Sequence, residues 1–439
     1  MQVVVVPRRS VITKKQGMKF MYMQIRTQTL SRYAGIRGVR AVLLFLGMSV
    51  FLLACGDDDD KKSVGPLFTV VVDESYTVDG DNWIFVTDLS GDVLDTKSYA
   101  PGQTITFSST NEADKVNVTI FQGHDTGNLK ELSFRTYTNL DRGDSLKLSV
   151  TVVTPPTSSP GEATIEISNY SDADNVPSTL LFSNTQGWNN SATAGVLDAV
   201  VTLPKSPADV LVSGYRSGVP VYSWANALMA DDVVEKDFTA FDAYPEQIKL
   251  DYPGVTSGSI VGYYPSNSTP YFFSNSSQLD QTTFKTNTPT LGYLDGFDHY
   301  QTYVFNQNDA GTVSYYKTGS VNTSIAIPAF TFSLTNGDIK NFAFNFSEEY
   351  TYFDAQWQYL EDTNWIHWNI ESEPGQFSGV TSIPTEIRSL YPQLDFNKLE
   401  YFGCTLIKFL DGRKYQDAVP LTTSQTPDHS EYYNFNPTF

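Results

Sequence analysis

The chain has 439 residues, with 29 Lys+Arg against 49 Asp+Glu for a formal charge of −20, and it holds two Cys and four His. Two cysteines exclude a disulfide scaffold and any multi-cysteine zinc or iron–sulfur site, and four histidines leave little for a histidine-rich metal site. Aromatics at 14% beside only 18% charged residues, with 29 Gly and 22 Pro, exclude a helical bundle and point to an all-β body of two to four domains.

The charge is uneven. Residues 1–54 carry nine Lys+Arg and no Asp or Glu, so residues 55–439 hold 20 basic and 49 acidic residues, a charge of −29. Such a body repels phosphate backbones, and nucleic acid is not an expected partner. The basic stretch is followed by Ala41 to Ala54, AVLLFLGMSVFLLA, fourteen uncharged residues. As a helix these span about 21 Å, short of the roughly 30 Å of a bilayer's hydrocarbon. A basic segment leading into a short apolar run is the pattern of a secretory signal, not of a membrane span.

The run ends in Leu52, Leu53, Ala54 and Cys55, which resembles the lipobox of bacterial lipoproteins. The resemblance implies cleavage before Cys55, a diacylglycerol thioether on that cysteine and usually an N-acyl chain. It makes 1–54 a signal peptide and the membrane a partner through the lipid anchor. The leader is long for this class, so the start is Met1, Met18, Met21 or Met23. Position +2 is Gly56 rather than the Asp that can hold such proteins at the inner membrane, so an outer-membrane, surface-exposed placement is expected. Residues 55–65 follow as a tether whose run Asp57, Asp58, Asp59, Asp60 cannot fold locally. That run reads either as a charged spacer or as the acidic export signal of surface lipoproteins of Bacteroidota-type bacteria, which it resembles.

From Phe68 onward period-two patterns dominate. Val116, Val118 and Ile120 alternate with Asn117 and Thr119; Leu146, Leu148, Val150 and Val152 alternate with Lys147, Ser149 and Thr151. Ile165 with Ile167, and Phe342, Phe344 and Phe346, repeat the pattern. One-sided alternation predicts antiparallel strands with one face in a core and one in water. Turns are predicted at Asp79-Gly80, Ser90-Gly91, Asn336-Gly337-Asp338 and Asp411-Gly412, and helices around Ser223–Asp231 and Thr385–Tyr391. The Pro-rich stretch Thr154 to Gly161 is a linker. The expected order is a sandwich over 66–153, a second over 162–252, and a larger aromatic-rich antiparallel β domain over 255–439. A loose internal echo, Asn117–Ile120 with its following strands against Asp209–Val212 with its own, makes the first two resemble tandem immunoglobulin-like β-sandwich modules.

Chemistry is sparse. There is no G-x-S-x-G elbow, no H-E-x-x-H and no phosphate-binding Gly-rich loop. His124, His299 and His429 each sit beside an Asp but are scattered, and no catalytic residue is assigned. Turns such as Asp172-Ala173-Asp174-Asn175 and Asp79-Gly80-Asp81 lack the spaced ligands of a calcium loop, so no metal or cofactor is called for. Cys404, in an apolar strand, reads as a small buried hydrophobe.

The informative stretch is Glu349 to Glu371. Folded as a hairpin turning at Asp362-Thr363, it places Phe353, Ala355, Trp357, Tyr359, Ile366, Trp368 and Ile370 on one face. Tyr350, Tyr352, Asp354, Gln356, Gln358, Trp365, His367, Asn369 and Glu371 fall on the other. A one-residue slip would mix the two sets. The first face is core. The second reads either as an ordinary wet sheet face or as a sugar-binding one, with rings to stack on pyranose C–H faces and amides to bond hydroxyls. Asp354 opposite Glu371 sets their Cβ atoms about 5 Å apart, so the two carboxyls either share a proton or a calcium ion, act as a glycosidase pair, or simply point apart into water. The expected role is binding or adhesion at a cell surface, toward glycan or a surface protein. The competing expectations are a polysaccharide hydrolase and a structural part of a surface assembly.

Overall fold

The computed structural model of the protein describes residues 65–438, apart from 77–79, 126, 128, 151–158, 171–179, 194, 265–266, 277–288, 378, 380–381 and 422–428. Cys55, the leader, the tether and most of the Pro-rich linker lie outside the described residues. The described chain is nearly all β, as its alternation requires, and forms strands β1 to β27 in chain order.

Twelve of these make one long sheet. Its order is β18 (Asn267–Asn275), β17 (Val255–Tyr264), β20 (His299–Asn308), β21 (Gly311–Gly319), β27 (Ser430–Pro437), β26 (Glu400–Phe409), β24 (Tyr352–Glu361), β25 (Asn364–Ser372), β6 (Lys130–Asp141), β5 (Lys115–Asp125), β2 (Asp81–Thr87) and β3 (Val93–Ser98). Neighbours are antiparallel except β25 and β6, which run parallel from Asn364↔Lys130 to Glu371↔Tyr137. That pair is a seam, because it joins strands from the expected first sandwich to strands from the expected C-terminal domain. The boundary drawn between 66–153 and 255–439 therefore does not divide the sheet.

The main core lies on one face of the long sheet. Phe85, Phe121, Phe134, Trp368, Trp357, Leu406, Phe435 and Val304 are buried there in strand after strand. Two antiparallel pairs help to cover it: β16 (Glu246–Lys249) with β19 (Thr290–Tyr293), and β22 (Phe332–Asn336) with β23 (Ala343–Phe346). The helix α1 (Thr385–Leu390), where a helix is predicted, adds Ile387.

The opposite face is covered at one end only. There the sheet of β4 (Thr104–Phe107), β1 (Phe68–Val72) and β7 (Ser145–Leu148) packs Phe68, Val70, Phe107, Leu146 and Leu148 onto Ile84, Val86, Val118 and Ile120. The short helix α2 (Tyr415–Ala418) and Leu421 close that second core. Strand β5 thus has cores on both sides. Its polar residues Asn117 and Thr119 are buried rather than wet, and Thr119 Oγ1 lies 2.8 Å from Thr136 Oγ1. The expectation of one wet face fails here because Thr119, paired with Phe85 and Thr136, faces the main core while the three-stranded layer covers Val118 and Ile120 on the other side.

Residues 162–243 form a sandwich of two four-stranded sheets. One holds β8 (Glu162–Ser168), β10 (Gly187–Thr193), β11 (Val196–Thr202) and β14 (Val233–Asp237). The other holds β9 (Leu181–Ser183), β12 (Ala208–Arg216), β13 (Val219–Leu228) and β15 (Asp242–Ala243). Ile165 and Ile167 meet Val210, Val212 and Val221 between them. The helix predicted from Ser223 is instead the second half of β13, held by its ladder with β12.

Candidate functional site

The hairpin β24–β25 has the register its pattern dictates. Asp354 pairs with Glu371, Gln356 with Asn369, Gln358 with His367 and Leu360 with Trp365. Phe353, Ala355, Trp357, Ile366, Trp368 and Ile370 are all buried in the main core. The polar set faces the other way, beyond the edge of the three-stranded layer. Tyr350 departs from the expectation. It precedes β24, and its ring packs against Phe344 and Phe346 at 5.8 and 6.0 Å, on the core side. Tyr352 keeps the expected face but lies against Tyr415 and Phe409, at ring-centroid distances of 5.5 and 5.8 Å.

The two carboxyls do not stand alone. Arg135, on the neighbouring β6, sends its guanidinium 2.6 Å from Glu371 Oε1, and Asn369 Nδ2 donates to Asp354 Oδ1 at 3.2 Å. The Glu371 side chain is 9% exposed and that of Arg135 45% exposed. Burial, then the facing Asp354, push the Glu371 carboxyl up to about 7 against the pull of Arg135. Burial likewise raises Asp354, while Arg135 and Asn369 oppose it. An arginine in this position makes the pair a poor calcium site, since a cation already stands there. Among the described residues no group of three or more metal-ligating side chains occurs.

Further along the hairpin, Trp365 and His367 are in ring contact at 4.7 Å, and Trp365 Nε1 donates to Gln358 Oε1 at 3.4 Å. Burial, and then Arg135, lower the His367 ring's proton affinity. Its Nε2 at 3.4 Å from Glu131 is therefore a contact of a neutral ring at pH 7 rather than an ion pair. On β26 a bulge opposite Gln356 and Trp357 leaves Phe402 57% exposed.

Residues beyond the hairpin extend this face. Thr405 is the partner of Asp354, and Ile407 of Tyr352, so Phe409 projects to the same side. Phe409 pairs with Tyr432, Tyr432 with Tyr316, and Tyr316 with Tyr303. Their centroids are 6.1, 4.9 and 4.9 Å apart in turn, and Arg413 lies 4.0 Å above the Phe409 ring. None of the four rings is fully buried. Thr405 Oγ1 donates to Asn436 Oδ1 at 2.6 Å two rows along, past Ile407 and Asn434. The sequence pattern marked the hairpin, yet Arg135 and this aromatic row escaped it. Each of those residues is unremarkable in its own strand, and only the strand order assembles them.

Comparison with known proteins returns no matching family model, no similar curated protein and no similar solved structure. Among the described residues no helix is long and apolar enough to cross a membrane.

Proposed function

We propose that the protein is a lipid-anchored surface protein, held to the outer membrane through an acylated Cys55, that binds glycan on the face of its long sheet opposite the main core. The observation carrying this reading is the cross-strand row Phe409–Tyr432–Tyr316–Tyr303, partly exposed rings in mutual contact. On the same face but separated from it along the strands, by the six residues from Phe409 to the Gln356 partner Gly403 (roughly 20 Å) or more, lie the amides Gln356, Gln358 and Asn369 and the ring of Trp365. Flat rings satisfy the apolar face of a sugar, and amides, which both donate and accept, satisfy its hydroxyls. The ligand class is neutral polysaccharide, because a body of charge −29 repels a polyanion. Binding is favoured over turnover because Asp354 and Glu371 are already engaged by Asn369 and Arg135.

A glycan array probed with the purified protein, with Trp365→Ala and Tyr316→Ala as controls, tests the reading. Retention on one or more neutral glycans, weakened in both variants, supports it. Retention unchanged in both places the ligand elsewhere, and release of shorter sugars would make the protein a hydrolase. The anchor is tested separately by the mass of native material, which should match a chain starting at Cys55 and carrying acyl groups.

A further inference from the structure

Three adjacent strands converge on one charge cluster at the seam. Tyr137 on β6, Glu371 on β25 and Asp354 on β24 occupy one cross-strand row. Arg135, two residues before Tyr137, reaches Glu371. The backbone also closes here, since the carbonyl of Glu371 accepts from Thr138 Oγ1 at 3.1 Å and from the Tyr415 hydroxyl at 3.0 Å. Two carboxyls thus face one cation in a largely buried place. With both ionised, the cluster holds an unmatched buried negative charge; with one protonated, it is neutral.

The other titratable and charged groups do not change that count. Tyr76, Tyr137, Tyr352 and Tyr415 are phenols whose proton loss burial makes harder. Cys404, beside Asp354, is likewise held as a thiol. His367 is held neutral by burial and by Arg135, with Glu131 beside it. Glu373 is engaged by Asn139 and Gln416, and Arg413, which bears on Tyr352, is paired with Asp411.

We propose that Arg135, Asp354 and Glu371 form a proton-dependent clamp across the β6–β25 seam, closed while the two carboxyls keep one proton between them and loosened when both are ionised. The half-exposed Arg135 gives solvent a way to the cluster. The sign follows from linkage. A carboxyl raised in the folded state binds more protons there than in the unfolded chain. The stability it contributes is full below the ordinary carboxylate range and is lost as pH rises toward about 7.

The test compares the whole protein with Asp354→Asn and Arg135→Met by calorimetry from pH 5 to pH 8. Asp354→Asn leaves one carboxylate for one cation, so its melting temperature should gain on wild type as pH rises. Arg135→Met leaves two carboxyls and no cation, so it should fall progressively behind. Hydrogen exchange, corrected for its intrinsic pH dependence, gives a second reading. In wild type the amides of β6 and β25 should lose protection relative to β20 and β21, by up to about tenfold per pH unit in the window. In Asp354→Asn that loss should disappear. Differences in melting temperature that stay constant with pH, or a constant protection ratio in wild type, would overturn the clamp.

Discussion

At the residue scale, two side chains tie the halves of the long sheet together. Trp368 stacks on Phe134 at 4.3 Å across the seam and donates its indole N–H to Thr136 Oγ1 at 2.8 Å. Trp368→Ala removes a fully buried ring and one of the two partners of the Thr136 hydroxyl, so a loss of about 3–5 kcal/mol is expected from denaturant unfolding. Trp368→Phe keeps the stack and should lose less than half of that. At the bulge of β26, Phe402 is 57% exposed and has little packing to lose. Phe402→Ala should leave the melting temperature within about a degree or two. Gly80 is constrained differently. It adopts φ +102° and a Cβ there would stand 1.9 Å from the Gly123 carbonyl oxygen. Gly80→Ala must shift the β2–β5 pairing, and lower stability with an unchanged ligand preference is the expected outcome.

At the element scale, the hairpin was legible because alternation and turn agree on one register. Its apolar set is long enough that a slip would bury Asp354 and expose Trp357. The cross-strand pairs at Asp354–Glu371 and Gln358–His367 followed from that. Pairings remote in sequence were not legible. Nothing local to Arg135 says that it lies beside Asn369, because parallel pairing of β6 with β25 is decided by the burial of Phe134 and Trp368 together, 234 residues apart in the chain. Strand β13 failed for a related reason. Trp224, Ala225, Asn226 and Leu228 have good helical spacing, but the β12 ladder and the core around Val221 and Ala225 override it. Tyr350 was misplaced by one step, since alternation was extended past the start of β24 into a segment that turns toward Phe344 and Phe346.

At the scale of the whole molecule, a chain read as modules in series has its first and last parts sharing a sheet. Phe85, Phe121 and Phe134, from the first part, belong to the same core as Trp357 and Phe435, from the last. Removing residues up to 158 would strip β6 from β25, leave that strand edge unpaired and open the main core. Such a fragment should be insoluble or melt far below the intact protein. A fragment with the intact protein's melting temperature would mean that the C-terminal strands stand alone. The central claim is that the aromatic row is a sugar platform. The most direct measurement is a calorimetric titration of the intact protein with the best-retained neutral oligosaccharide, repeated on Tyr316→Ala/Tyr432→Ala. Binding in the intact protein and a loss of at least roughly tenfold in the double variant is the expected result. Equal affinity in the two, with both proteins equally folded, would contradict it.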